Sequence, residues 1–210
     1  MSLGALGDAG VRELLDPAAP VRSHYEELAG NLLGIEGAGI VVVTSPDPGA
    51  GRTSVCLGLG AAVAGMGRRA AVVDCNLENP QLHRMIGEPN FVGLSSGLED
   101  SKTLEHHGYE VVPGLLAVPT GPVLSDPTSI LENGGIPRAL RYLRESRELV
   151  LLDAPVVRGV LRSPNLSGGF DGVLLVVHAS RTPRDTAREA ADDLLAAGVN
   201  LLGVVLNGCS

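Results

Sequence analysis

Three groups of residues have types and spacings suited to handling phosphate. The first is the segment Ser45-Pro-Asp-Pro-Gly49-Ala50-Gly51-Arg52-Thr53-Ser54. Glycines at 49 and 51 let the backbone curl so that successive N–H groups point at an anion. A helix opening just after them adds the positive end of its dipole. The cation of Arg52 is placed to reach outer phosphates, and the hydroxyl of Thr53 suits Mg²⁺. The second group is Asp74-Cys75-Asn76, and the third is Asp153-Ala154-Pro155. Asp153 follows a very apolar run and stands where an aspartate would orient the water shell of that metal. Each feature alone has a plain structural explanation: a Gly-rich turn is a common tight connection, and an Asp at a strand end is often a helix N-cap. Together, in this order, they point to a nucleoside triphosphate with Mg²⁺.

The strict phosphate-loop pattern G-x-x-x-x-G-K-[ST] is not met. Pro46 stands at its first Gly and Arg52 at its Lys. A dinucleotide fingerprint competes, because Gly49-Ala-Gly51-Arg-Thr-Ser54 approximates G-x-G-x-x-G/A and Asp74 lies about twenty residues on. Dinucleotide glycines follow their strand almost directly, however. Here Ser45-Pro-Asp-Pro intervenes and makes a wider loop, which favours a triphosphate.

These groups need strand ends to hold them. Gly39–Thr44 is a continuous β-branched run bounded by Gly and Pro, as expected for a strand buried on both faces of a parallel sheet. Similar runs occupy Ala70–Val73, Leu115–Val118, Leu149–Leu152, Val173–Val177 and Leu201–Leu206. Between them lie helix-compatible stretches: 22–33, with Ser23 a possible N-cap and Gly34 a stop, then 53–66, 137–146 and 182–197. Strands alternating with helices predict an α/β domain: a doubly wound, mostly parallel sheet of about six to eight strands with helices on both faces. Ligands bind such sheets at the carboxyl ends of strands. The Gly-, Ala-, Pro- and Asp-rich residues 1–20 read as a loose leader and 21–210 as a single domain. Residues 87–114 read as an irregular excursion with a short helix or two.

Composition narrows the class further. With 210 residues, 44% of them apolar, the chain can bury a substantial core. Lys plus Arg number 16 against 24 Asp plus Glu, a net charge of −8, and no basic cluster serves a nucleic-acid backbone. Five aromatic residues (three Tyr, two Phe) leave no base-stacking platform. Cys56, Cys75 and Cys209 are far apart and lack C-x-x-C spacing, which suggests reduced thiols in a cytoplasmic setting and no zinc site. Asp8, Arg12, Glu13 and Asp16 break up any signal peptide. The longest weakly polar run, 55–67, is about 13 residues against the roughly 20 needed to span a bilayer, so no direct membrane insertion is expected. His106-His107 reads as a solvated loop. Ser125, Ser129 and Ser167 have no nucleophile context. Arg138, Arg141, Arg144 and Arg147 form a basic stripe, either solvated or a docking face for an acidic partner.

From Tyr25 to Asn207 the order of segments resembles the bacterial tyrosine autokinases (BY-kinases), ATPase modules of polysaccharide co-polymerases within the deviant Walker A group of P-loop proteins. Pro48-Gly-Ala-Gly-Arg-Thr53 is similar to the family's P-G-E-G-K-T. Val73-Asp-Cys-Asn-Leu-Glu-Asn-Pro-Gln-Leu-His83 partly matches I-D-A-D-L-R-R-P-x-L-H. Pro119-Thr-Gly121 through Pro127 echoes P-x-G-x-x-x-x-x-P, and Glu148 through Pro155 echoes D-x-V/I-I-I-D-x-P-P. The ending G-V-V-L-N stands intact at Gly203–Asn207. The resemblance implies ATP or ADP at Gly49, Ala50, Gly51, Arg52, Thr53 and Ser54, with Arg52 at the lysine that contacts the β- and γ-phosphates. It implies Mg²⁺ held by Thr53, Asp74 and Asp153, partly through water. Asp74 would help activate the attacking hydroxyl or water, and Asn207 would lie near the adenine edge. It further implies a role in exopolysaccharide biosynthesis, activation by a membrane-bound co-polymerase that recruits the chain to the inner membrane face, and homo-oligomers.

Departures from the family pattern point toward weakened catalysis. Arg52 is broader and more planar than Lys. Asn76 replaces the second Asp of its motif, Glu78-Asn79 replaces a basic pair, Glu26 and Ala29 stand where R-x-x-R is usual, and the sequence shows no tyrosine cluster. Two alternatives therefore stand beside a kinase-type ATPase. One is a catalytically degenerate scaffold or regulator of polysaccharide assembly. The other is a partition- or positioning-type ATPase, for which neither a DNA-facing basic surface nor a membrane-seeking helix is evident.

Overall fold

A computed structural model describes residues 9–99, 104–122, 135–163 and 170–208. Seven strands form one sheet: β1 (Ile40–Thr44), β2 (Ala70–Asp74), β3 (Tyr109–Val112), β4 (Leu115–Val118), β5 (Leu149–Asp153), β6 (Gly172–His178) and β7 (Leu201–Asn207). Their order is β3-β4-β2-β5-β1-β6-β7. Every pairing is parallel except β3–β4. The helices are α1 (Ala9–Leu15), α2 (Arg22–Leu33), α3 (Arg52–Gly65), α4 (Leu82–Ile86), α5 (Leu94–Glu99), α6 (Gly135–Ser146), α7 (Val157–Leu161) and α8 (Arg184–Ala196). This is the expected doubly wound architecture.

Burial explains the sequence of each strand. β1, β2, β4 and β5 lie inside the sheet, and every residue in them is buried, which is why they read as unbroken apolar runs. The edge strands β3 and β7 are only partly buried. Two apolar cores result. One joins α1, α2 and α3 to one face through Leu15, Tyr25, Leu57 and Leu59. The other joins α5, α6, α7 and α8 to the opposite face through Leu94, Leu140, Val157 and Leu194. Helix α3 carries small residues because α2 crosses it closely. A Cβ on Gly58 would lie 2.5 Å from the Tyr25 ring. The Arg22 guanidinium, itself buried, donates to the Ala61 carbonyl at 2.8 Å and ties the two helices together.

Several expectations are corrected here. Residues 9–15 of the supposed loose leader form a helix whose Val11 and Leu15 are buried against the first core. Two apolar contacts outweigh the local Gly/Ala bias. Ser23 does not cap α2; its hydroxyl donates to the Pro20 carbonyl instead, while Gly34 ends the helix as expected. The excursion 87–114 contributes α5, a 3₁₀ turn at Leu104–His107 and the strand β3. His107, expected in a solvated loop, is buried. Arg144 pairs with Asp171 at 3.1 Å and Arg147 with Glu105 at 3.5 Å, so both turn to the chain's own carboxylates. The side chains of Arg138 and Arg141, together with Ser125, Ser129, Ser167, Pro127, Cys209 and residues 1–8, lie outside the described residues. Among the described residues no helix is long and apolar enough to cross a membrane.

Candidate functional site

The sheet order sets β2, β5 and β1 side by side, so their carboxyl ends deliver Asp74, Asp153 and the loop 45–51 to one place. Asp74 and Asp153 are register partners across β2 and β5, and Val43 is the partner of Asp153 across β5 and β1. Thr44 ends β1 and Ser45 follows it, both fully buried, and the Thr44 hydroxyl donates to the Pro155 carbonyl at 2.7 Å. This clamps the start of the loop to the segment after β5.

The loop then curls. Gly49 and Gly51 have φ of +78° and +89°, the left-handed region that side chains with a Cβ resist. The Asn207 side-chain amide donates to the Ala50 carbonyl at 2.9 Å, and a Cβ on Gly51 would collide with that same amide nitrogen. A residue at the end of β7 therefore braces the loop from below. Helix α3 opens at Arg52, directing its first N–H groups into the curl.

At the floor, Thr53 and Asp153 meet. The Thr53 hydroxyl donates to Asp153 Oδ2 at 2.5 Å. Asp153 is buried, and its other oxygen, Oδ1, is buried without a hydrogen-bond donor. The Arg52 guanidinium faces that oxygen, its Nε 3.9 Å away. Arg52 Nη1 donates to Ser45 Oγ at 2.7 Å, and Ser45 Oγ donates to the Asp47 carbonyl at 2.6 Å. Arg52 is thus folded back onto its own loop. Ser54 is half-buried on the first turn of α3.

Asp74 is engaged differently. Its Oδ1 accepts from the Asn76 N–H at 3.0 Å, and its Oδ2 accepts from the N–H groups of Gln81 and Leu82, both at 3.1 Å. The carboxylate shapes the turn that follows β2 and caps α4. Asn76, in the same turn, donates its side-chain amide to the Asn79 carbonyl at 3.0 Å.

Electrostatics follow from burial. Burial pushes the Asp153 carboxyl up to about 7, nearby Asp74 adds to the rise, and the Thr53 hydrogen bond and Arg52 oppose it. Burial pushes Asp74 up to about 6 against its backbone hydrogen bonds and Arg52. Burial also lowers the guanidinium of Arg52, while Asp153 acts to hold its proton. The thiols of Cys56 and Cys75 are fully buried and pushed up by burial, away from reactivity.

The oxygens present are of the kind a magnesium ion takes, but the Arg52 cation stands beside them. A hydroxyl and a carboxylate are the hard oxygen ligands it takes, and Asp153 Oδ1 is a buried acceptor with no hydrogen bond. Among the described residues no cluster of His, Cys, Asp or Glu side chains forms an all-protein metal cage. A crevice of about 280 Å³ opens beside the loop, between Pro46, Asp47, Val157, Arg158 and Glu189. A larger cavity of about 540 Å³ lies at the opposite end of the sheet, where Gly39, Arg69 and Glu148 lead into β1, β2 and β5. Chemistry and topology both favour the loop end.

The structure therefore brings Gly49, Ala50, Gly51, Arg52, Thr53, Ser54, Asp153 and Asn207 together. Asp74 lies beside them with both oxygens occupied. Sequence reasoning did not foresee Ser45 as the anchor of Arg52. Its place directly after β1, seven residues before the cation, was the available signal.

The strand order and the loop after β1 define a domain of the P-loop NTPase fold. No protein-family model matches the chain. By sequence it is similar to EpsB of Ralstonia solanacearum, which carries a provisional tyrosine-protein kinase name, with 33% identity over 172 residues, 81% of this chain but 23% of EpsB. It is also similar to the tyrosine-protein kinase YwqD of Bacillus subtilis, with 27% identity over 169 residues, 80% of this chain and 71% of YwqD. By structure it is similar to the chimerical protein CapA2B2, with a TM-score of 0.83 and 25% identity over 92% of this chain and 87% of that one. The kinase domain of VpsO gives a TM-score of 0.79 and 26% identity over 90% of this chain and 96% of that one. The chain spans about a quarter of the length of the first curated relatives it matches. Its kin by sequence are bacterial tyrosine-protein kinases, and kinase domains of that group share its fold.

Proposed function

We propose that the chain binds ADP or ATP in the curl Gly49–Ser54 and serves as a kinase-type module of exopolysaccharide assembly with weakened turnover. The observation that carries this is the Thr53–Asp153 contact of 2.5 Å beneath a loop curled by two left-handed glycines. In this reading the N–H groups of residues 49–54 bind the phosphates and Asn207 keeps the loop open. When bound, Mg²⁺ would neutralise phosphate charge, with Thr53 as a direct ligand and Asp153 orienting its waters. Asp74 would accept the proton of the attacking hydroxyl or water. A membrane-bound co-polymerase is the proposed activator, recruiting a cytoplasmic chain to the inner face of the membrane, where it forms homo-oligomers.

Isothermal titration of the protein with ADP in Mg²⁺ buffer tests the nucleotide reading. Saturable heat is expected, and no binding at millimolar ADP overturns it. The weakening is attributed to Arg52, whose charge rests on Ser45 rather than projecting into the loop. Loss of one well-placed transition-state donor costs about 10²–10³ in rate. Arg52→Lys is therefore expected to raise phosphate release at saturating ATP. An unchanged or lower rate counts against the attribution.

The same fold-back of Arg52, with the backbone capture of Asp74, supports a second reading: a non-catalytic regulator of polysaccharide assembly. Phosphate release that stays at background in both the natural protein and Arg52→Lys, with ADP still bound, would favour it.

A further inference from the structure

Thr53 and Asp153 hold the oxygens a magnesium ion would use, yet a cation from the chain itself already faces them. The Arg52 guanidinium is anchored at one corner by Ser45 Oγ, 2.7 Å from Nη1. Its Nε lies 3.9 Å from Asp153 Oδ1. The Arg52 side chain is 11% exposed and that of Asp153 2%, so water screens the pair little. Oδ1 has no hydrogen-bond donor, while Oδ2 is taken by Thr53. The Asp153 oxygen without a hydrogen bond, which would receive a metal's water, is thus the one that Arg52 faces.

A lysine at this position would carry a compact ammonium on a flexible stem, free to swing toward phosphate. The planar guanidinium spans Ser45 and Asp153 at once, and this bridge holds it down. A divalent ion on Thr53 would sit within a few ångströms of that fixed charge and must repel it. We propose that Arg52 is a built-in counter-ion of Asp153 that shuts Mg²⁺ out of the site, so that any nucleotide is held with little or no help from the metal. This rests on the reading of the loop as a nucleotide cradle and explains why turnover on it would be weak.

The test compares the natural protein with Arg52→Lys in two ways. Calorimetry measures ADP affinity in excess MgCl₂ and in EDTA. The natural protein is expected to change by less than about threefold, while Mg²⁺ tightens binding to Arg52→Lys by about tenfold or more. Equal Mg²⁺ dependence in the two proteins, or none in Arg52→Lys, overturns the proposal. Thermal melting without nucleotide supplies the second comparison, using Arg52→Gln and Arg52→Lys. Loss of the internal cation is expected to lower Tm, and about 10 mM MgCl₂ is expected to restore part of it in the variants but not to move the natural protein. A Mg²⁺-induced rise as large in the natural protein overturns the proposal. If neither protein binds ADP, the nucleotide reading falls and the melting comparison alone decides the role of Arg52. Should Arg52→Gln fail to fold, Arg52→Lys carries that comparison.

Discussion

At the scale of single residues, the two aspartates at the sheet's carboxyl edge have separate jobs. Asp153 is met by side chains, a hydroxyl on one oxygen and a guanidinium near the other. Asp74 is met only by backbone, three N–H groups that would otherwise be left without acceptors as the chain turns into α4. Removing that carboxylate strands one buried donor, Leu82 N–H, and two part-buried ones, a buried donor costing about 1–3 kcal/mol. Asp74→Ala is thus expected to lose about 2–4 kcal/mol in urea unfolding, and Asp74→Asn, which keeps one carbonyl oxygen, to lose less. Equal stability of Asp74→Ala and the natural protein would contradict the structural role. The aspartates were legible in the sequence because each ends an apolar run. Their division of labour was not, since it depends on which N–H groups the following turn brings back, eight residues on in the case of Leu82. Arg52 shows the same limit. Its type and position marked it as a phosphate cation, but its anchor, Ser45, is set by the path of the loop.

At the scale of elements, α2 and α3 form a tight pair across one face of the sheet. Tyr25 packs its ring on Gly58 and is 8% exposed. Burial, reinforced by nearby Cys56, pushes its phenol from 10.0 up to about 12. The folded state then binds the phenolic proton more tightly than the unfolded chain does. The resulting stability is fully present below pH 10 and is lost as pH rises from about 10 to 12, by at most roughly 2–3 kcal/mol. Urea midpoints at about pH 9 and pH 11 should therefore diverge less in Tyr25→Phe than in the natural protein. An identical pH slope in both would show that the ring is not held away from water. The strand that escaped in the sequence, β3, lies at an edge, whereas the other edge strand, β7, was legible as the run Leu201–Leu206. β3 carries Tyr109-Glu110-Val111-Val112, with Glu110 exposed and no unbroken apolar run to announce it. Helix α1 escaped because Gly and Pro flank it, and only its burial of Val11 and Leu15 reveals why it forms.

At the scale of the whole molecule, the parallel sheet gives the chain two unlike ends. One end gathers the loop, Thr53, Asp153 and Asn207. The other carries the larger cavity, bordered by Arg68, Arg69 and Arg144. An anion could be drawn to either, by curled backbone and a helix start at the first or by guanidinium charge at the second. The central claim is that main-chain amides of the loop grip a polyphosphate. Titration of ¹⁵N-labelled protein with ADP, followed amide by amide, tests it most directly. The largest saturable shifts are predicted at Gly49–Ser54 and at Asn207. Shifts confined to residues around Arg69 and Arg144, or none at all at millimolar ADP, would contradict it.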